Sequence, residues 1–181
     1  IFNTYKNNRD TLDFTYGTQK IMRIEGHVML YAYATNNLAV LNSVFVNVKL
    51  FNRSNSSDYD YSDFRFSVYA DFDMGHPSDD YVGTDTSRNM FYGYNGDNFD
   101  EGFQGSPGYG NNLPTQAVKF LDRKLKHSMY HNVGSAPNGD PSSFLDHMNY
   151  QRSKWKDSSY VLYSGNGYND CIDSNNQVDF M

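Results

Sequence analysis

The chain has 181 residues, a formal net charge of −6 at pH 7 and an isoelectric point near 5.2. This length fits one domain of ordinary size that can bury a core of its own. The acidic balance and the scattered Lys and Arg residues argue against nucleic acid as a partner. No run of about 18 apolar residues occurs, so the sequence predicts no membrane span.

Two biases in composition set the expected fold class. The chain carries 16 Tyr and 13 Phe residues, and aromatic side chains favour β-strands. Glu25 and Glu101 are the only Glu residues, so Asp supplies the other carboxylates, and Asp favours turns and the loops that bind hard cations. The composition therefore predicts strands joined by polar, Asp-rich loops.

The first half of the chain predicts antiparallel β-structure. Its stretches of β-branched and aromatic residues place apolar side chains at every second position, which is the period of a half-buried strand. A polar connection over residues 52–63 indicates a hairpin. The predicted strands are residues 20–34 with a bulge at Gly26, residues 38–51 with Val44, Val46, Val48 and Leu50 on one face, and residues 64–69 with Phe64, Phe66 and Val68 inward.

The second half predicts longer loops. Residues 71–110 are loop-dominated apart from a short aromatic strand at 90–94, and loops of this length are usually functional or ordered by a metal. Residues 115–129 fit either a core strand or a helix, and the pattern leaves both open.

One helix is predicted, from a cap at Ser142 or Ser143 to Trp155. These elements together predict an all-β fold, a jelly-roll-like β-sandwich with long Asp/Gly-rich, metal-ordered loops and this one short helix. We expect a single β-sandwich module over residues 1–181 that is a fragment of a larger secreted, multidomain chain.

The densest chemical signal is a group of seven Asp residues between positions 71 and 100. If a strand that ends at Asp73 keeps its pleat, Asp71 and Asp73 project on one face. Gly75 then lets the backbone fold later carboxylates back towards them. Gathered carboxylates repel each other, and a divalent cation relieves the repulsion. The predicted metal ligands are Asp71, Asp73, Asp79, Asp80, Asp85 and Asp97.

Calcium is the predicted cation, because it accepts about 6–8 oxygen ligands in flexible geometry. The alternatives are a solvated acidic loop, in which each Asp caps a turn, and the paired carboxylates of a glycosidase. His127 and His131 have the spacing of two zinc ligands on a helix but lack an adjacent Glu and an evident third ligand. No Gly-x-Ser-x-Gly motif marks a nucleophilic Ser. We therefore expect that the chain is not an enzyme.

Several runs of the sequence occur together in a known group of proteins. In these runs the chain resembles large secreted or cell-surface proteins of Bacteroidota, which the type IX secretion system often exports. The resemblance implies an extracellular, β-rich module of a multidomain, gliding- or adhesin-like protein, and it implies no particular activity. The runs are residues 68–75 (Val-Tyr-Ala-Asp-Phe-Asp-Met-Gly), 79–85 (Asp-Asp-Tyr-Val-Gly-Thr-Asp), 94–97, 108–114 and 148–157.

The sequence and the resemblance together predict a structural or adhesive module, secreted or at the cell surface, that calcium stabilises. The expected partners are neighbouring domains of the same chain and proteins of secretion or surface assembly. The alternative is a carbohydrate-binding module, or a non-catalytic domain of a glycan-active enzyme, that presents Tyr and Trp side chains to a polysaccharide.

Overall fold

The computed structural model describes residues 3–5, 23–53, 61, 63–162 and 168, with only the backbone of residues 3–5. The chain divides into two compact units, Ile1–Phe64 and Arg65–Met181. The single module predicted over residues 1–181 stays a prediction. In chain order, the elements of the described residues are β1 (Asn3–Tyr5), β2 (Ile24–Tyr31), α1 (Leu38–Leu41), β3 (Phe45–Asn52), β4 (Asp80–Asp85), β5 (Met90–Asn95), β6 (Thr115–Lys119) and α2 (Phe144–Tyr150).

The first unit contains a three-stranded antiparallel sheet in the order β1-β2-β3. At one end of the β2–β3 pair, Tyr31 lies opposite Phe45, and the two rings stack with centroids 5.4 Å apart. Such cross-strand aromatic pairs stabilise a sheet. The strand predicted at residues 20–34 is confirmed over Ile24–Tyr31, whereas residues 32–34 are not in the strand and residues 20–22 lie outside the described part of the chain. Gly26 lies in regular register opposite Leu50, however, so the predicted bulge is wrong.

The strand predicted at residues 38–51 begins later than its pattern indicates. Leu38–Leu41 forms the short helix α1, because the Asn37 side chain accepts a hydrogen bond from the Ala39 amide at 3.1 Å and caps the first turn. The strand itself, β3, starts at Phe45.

The strand predicted at residues 64–69 is wrong. Phe64, Phe66 and Val68, the side chains predicted to point inward, are exposed. Within the described residues no strand pairs with this stretch. An alternating pattern becomes a strand only where a second backbone supplies the hydrogen bonds of a ladder.

The second unit contains another three-stranded antiparallel sheet, in the order β4-β5-β6. β4 and β5 form a hairpin around residues 86–89, where Asn89 has a φ of 60°, a conformation that Asn adopts more readily than most residues. The strand predicted at 90–94 is confirmed as β5, and β4 takes part of the stretch that was predicted as loop. Residues 115–119 form strand β6, and residues 121–129 contain no helix.

The core of the second unit surrounds Trp155, whose side chain is 0% exposed. The rings of Tyr130, Tyr150 and Tyr168 meet it edge-on at centroid distances of 6.4, 6.1 and 6.0 Å. Edge-to-face contacts at these distances are favourable for aromatic pairs. Trp155 and these three Tyr side chains thus form an aromatic core, while many other aromatic side chains of the described residues are exposed.

Helix α2 supplies Tyr150 to this core. Its N-terminus carries a capping box, in which the Ser143 side chain accepts from the Asp146 amide at 3.1 Å and Asp146 accepts from the Ser143 amide at 3.0 Å. The helix ends at Tyr150 and not at the predicted Trp155, because Ser153 has a φ of 54°, which an α-helix does not contain.

The described residues form an all-β chain with two small antiparallel sheets and little helix. The predicted fold class is confirmed at this level. The arrangement of sheets into a jelly-roll-like sandwich stays a prediction.

Candidate functional site

One end of the β4–β5 hairpin brings three oxygen-bearing side chains together. β4 begins at Asp80, whose register partner is Asn95, the last residue of β5. Asp79 precedes the strand, and its carbonyl accepts a hydrogen bond from the Gly96 amide at 2.7 Å. Asp79, Asp80 and Asn95 thus all lie at this end of the hairpin, near enough for the charge of Asp79 to act on Asp80, and we name them the hairpin-end cluster.

Several oxygens of the hairpin-end cluster accept no hydrogen bond, although Nδ1 of His76 lies 3.7 Å from Oδ1 of Asp79. Both carboxylate oxygens of Asp79, Oδ1 of Asp80 and Oδ1 of Asn95 are shielded from solvent and accept no hydrogen bond from the described part of the chain. Asn95 as a whole is only 7% exposed. A buried polar atom without a partner costs about 1–3 kcal/mol, and more when it is charged. The cluster therefore offers several oxygens that water or a cation could use as ligands.

The electrostatics of the cluster also favour added positive charge. Burial raises the pKa of the Asp80 carboxyl, and the nearby charges of Asp79, Asp100 and Asp73 raise it further. A hydrogen bond from the Met74 amide acts in the opposite direction without reversing the shift. A cation beside Asp80 would stabilise the ionised form that its surroundings disfavour.

Asp100 lies next to the cluster and is itself satisfied. Its side chain is 1% exposed, and its carboxylate accepts from the Tyr109 amide at 2.5 Å and the His76 amide at 2.8 Å. These two bonds hold the pKa of Asp100 below its usual range. Gly75 makes room for this carboxylate, since a Cβ at that position would overlap it. Asp100 therefore anchors two loop segments.

Four of the six predicted ligands lie in the hairpin-end cluster or near it. Asp79 and Asp80 are brought together in the cluster itself. Asp73 is near enough for its charge to raise the pKa of Asp80, although its own side chain is exposed. Asp97 contacts the cluster through Asn95, because Asn95 Nδ2 donates to Asp97 Oδ1 at 3.3 Å.

Asp71 and Asp85, the two remaining predicted ligands, lie outside the cluster. Asp71 is exposed. Asp85 ends β4, about 17 Å along the strand from Asp80. Its carboxylate accepts from Ser87 Oγ at 2.6 Å and the Arg88 amide at 2.9 Å, which lowers the pKa of Asp85. Asp85 therefore closes the hairpin turn.

Asn95 is the cluster member that sequence reasoning missed. It belongs to the Asn-Gly pair at the end of a predicted aromatic strand, and such a pair is commonly a turn signal. Its position opposite Asp80 follows only from the register of the β4–β5 hairpin. The strand β4 has to be recognised before Asn95 can be assigned to the acidic pair.

The donor set of the hairpin-end cluster fits a hard divalent cation. All the unpartnered atoms are oxygens of two carboxylates and one carboxamide, which suit calcium, whereas zinc prefers nitrogen and sulfur. The described residues contain no group of three or more His, Cys, Asp or Glu side chains that could hold a metal. A cation here would therefore depend on the Asn95 carboxamide as its third protein ligand, with other positions open to water.

The second unit also contains a polar pair outside the hairpin-end cluster. His127 Nδ1 and Ser153 Oγ are 2.8 Å apart, the distance of a base and a nucleophile. Ser153 is only 2% exposed, so its hydroxyl is closed to a substrate in this conformation. The stretch from His127 to His131 is not helical, so the helical spacing of two zinc ligands does not arise.

The aromatic side chains are divided between core and surface. Trp155 is fully buried and cannot stack on a sugar, contrary to the predicted glycan-binding alternative. Tyr69 is exposed and stacks on His131 with centroids 5.5 Å apart. Stacking on a polysaccharide would depend on exposed Tyr side chains of this kind.

The fold and the cluster together define an all-β chain with a buried, oxygen-rich acidic site at one end of a hairpin. Comparison with protein-family models, with curated proteins and with solved structures gives no match. Among the described residues, no helix is both long enough and apolar enough to span a bilayer.

Proposed function

We propose that this chain is a structural or adhesive module of a secreted or cell-surface protein, and that calcium stabilises it at the hairpin-end cluster. The observation that carries the proposal is the set of shielded oxygens of Asp79, Asp80 and Asn95 that accept no hydrogen bond. A divalent cation would take these oxygens as ligands and offset the repulsion between the carboxylates. The proposal gives the chain no catalytic step.

Calcium is the proposed cation because the ligands are oxygens and because extracellular modules bind calcium with dissociation constants of about 10⁻⁴–10⁻³ M. A ligand that binds only the folded chain stabilises it by RT ln(1 + [L]/Kd), about 2.7 kcal/mol at a hundredfold excess over Kd. Asp80 begins one strand of the hairpin, Asp79 directly precedes it, and Asn95 ends the other strand. A shared cation would join the two strands at the end that the turn does not close.

The proposal includes an extracellular location and a β-sandwich. The strand-rich, antiparallel character of the described residues supports the sandwich, because β-sandwiches are built from antiparallel strands. The location is supported by the resemblance of residues 68–75 and 79–85 to secreted proteins of Bacteroidota. Neighbouring domains of the same chain, and proteins of secretion or surface assembly, are the proposed partners.

The test is thermal unfolding of the full chain in calcium and in EDTA, with elemental analysis of the dialysed protein. We expect calcium to raise the Tm by roughly 5–10 °C. In the Asp79→Asn/Asp80→Asn variant this rise disappears. The Tm of the same variant in EDTA stays equal to that of the wild type or exceeds it, because two buried charges that repel each other have been removed.

The matched control is Asp122→Asn, which removes a charge from an exposed loop and should keep the full calcium-dependent rise. An equal Tm in calcium and EDTA, with no bound metal, contradicts the proposal and favours a solvated acidic loop. A rise that persists in the Asp79→Asn/Asp80→Asn variant contradicts the assignment of calcium to the hairpin-end cluster.

A further inference from the structure

A shallow groove of about 480 Å³ lies beside the turn of the β4–β5 hairpin. Its walls are residues 86–89, which form the turn, and residues 119–125, which begin at the last residue of β6. The turn is at the opposite end of β4 from the hairpin-end cluster. The volume is within the range of small-ligand sites, about 300–1,000 Å³.

Asn89 holds the two walls of this groove together. Its Nδ2 donates to the carbonyl of Phe120 at 2.8 Å and to the carbonyl of Arg123, and its Oδ1 accepts from the Leu125 amide at 2.5 Å. Its backbone carbonyl accepts from the Phe120 amide at 3.0 Å. One residue thus fixes the course of residues 120–125. A preformed groove loses less conformational entropy when it binds a ligand.

The groove concentrates positive charge in an acidic chain. Four cationic residues line it, against a single carboxylate, that of Asp122. Three of the four are exposed and form no ion pair within the described residues. These three are Lys119, Arg123 and Lys124, and the fourth, Arg88, is paired with Asp85.

This group of cationic residues is not visible in the sequence, because Arg88 is about thirty residues from the other three. The pairing of β5 with β6 brings the two stretches together. The net charge of the whole chain is −6. The positive groove is therefore a local feature whose surroundings carry the opposite sign on balance.

We propose that this groove binds an acidic sugar, a glycan unit that carries a carboxylate or sulfate group. Lys and Arg donate charge-assisted hydrogen bonds to such oxyanions. Leu121, which also lines the groove and is 72% exposed, offers an apolar contact to the face of a sugar ring. A long polyanion such as nucleic acid fits less well than a short acidic sugar held within the groove, because phosphates beyond the groove would face the acidic remainder of the chain.

The test is isothermal titration calorimetry of the full chain in EDTA, which separates this site from the proposed calcium site. The probes are an oligogalacturonate for the carboxylate, a carrageenan oligosaccharide for the sulfate, and a neutral xylo-oligosaccharide of the same length. Inorganic phosphate and a single-stranded oligonucleotide are titrated in parallel. We expect at least one acidic sugar to bind, more weakly as ionic strength rises, and the neutral sugar not to bind.

Three variants assign the binding to the groove. Lys119→Gln/Lys124→Gln should weaken it by roughly tenfold or more, because two charge-assisted contacts are lost. Lys49→Gln/Lys126→Gln removes the same charge from exposed residues that do not line the groove and should weaken binding less than Lys119→Gln/Lys124→Gln does, because no direct contact is lost. Asp122→Asn removes the one carboxylate of the groove and should tighten binding.

If the two double variants weaken the binding of acidic sugars equally, the assignment to the groove is wrong, because the effect would then depend on net charge alone. The proposal also fails if the neutral sugar binds as tightly as the acidic ones, if phosphate or the oligonucleotide binds more tightly, or if no probe binds. All these variants change exposed side chains, and an unchanged Tm confirms that each variant is folded.

Discussion

Gly75 combines an unusual backbone conformation with a close approach to a carboxylate. Its φ is 103°, and a Cβ at this position would overlap the side chain of Asp100. Gly105 has a similar φ of 86° but faces open space. The pair therefore separates the cost of a left-handed backbone from the cost of displacing a buried carboxylate.

We expect Gly105→Ala to lower the free energy of unfolding by about 1–2 kcal/mol, the cost of placing an L-residue in the left-handed region. Gly75→Ala adds the loss of one or both amide hydrogen bonds to Asp100, so we expect a loss of roughly 2–5 kcal/mol in total. Urea denaturation measures both values. Equal losses in the two variants would contradict the bracing role of Asp100.

At the scale of single residues, the sequence predicted the type of side chain at the site better than it predicted which residues lie near one another. A run of Asp residues is visible without a structure, and Asp79 and Asp80 do lie together. Their neighbour Asn95 depends on a strand register, which a list of spacings does not contain. Asp85 belongs to the same Asp-rich stretch as Asp80. An extended strand separates the two residues, so they lie at opposite ends of β4.

The capping box of α2 makes the stability of that element depend on pH. Hydrogen bonds from the Ser142 amide and the Ser143 side chain hold the pKa of Asp146 below its ordinary value. A carboxyl whose pKa is lower in the folded chain contributes stability above its unfolded pKa, and that contribution is lost as the pH falls through the folded pKa. Asp146 should therefore account for part of the acid sensitivity of the second unit.

We expect Asp146→Asn to be less stable than the wild type at neutral pH and to lose less further stability on acidification. Thermal unfolding between neutral and acid pH measures the two slopes. Glu101→Gln, which changes an exposed carboxylate, should retain the steep acid dependence of the wild type. Parallel slopes in Asp146→Asn and the wild type would mean that Asp146 is not linked to folding.

At the scale of elements, a strand pattern succeeds where neighbouring strands complete its hydrogen-bond ladder. β2 and β5 match their predicted strands because each contains several β-branched or aromatic residues and pairs with a strand on both sides. β4 was missed because Asp80–Asp85 contains two Asp residues and a Gly, which favour turns. It forms a strand because β5 offers a complete ladder of partners, a non-local fact that its own residues do not express.

At the scale of the whole molecule, the two units should respond differently to calcium. The hairpin-end cluster and Trp155 both belong to the unit Arg65–Met181. Trp155 is the single tryptophan of the chain and is fully buried. Its fluorescence therefore reports the unfolding of this unit alone, whereas far-UV circular dichroism reports both units.

We expect calcium to move the fluorescence transition to higher temperature. Part of the circular dichroism change should move by the same amount, and the remainder should occur at a temperature that calcium does not change. The remainder belongs to Ile1–Phe64, because a ligand stabilises only the cooperative unit that binds it. The Asp79→Asn/Asp80→Asn variant provides the control, since its two transitions should be insensitive to calcium. If calcium shifts fluorescence and the whole circular dichroism change together, the two units unfold as one cooperative body, and the single module predicted over residues 1–181 is favoured.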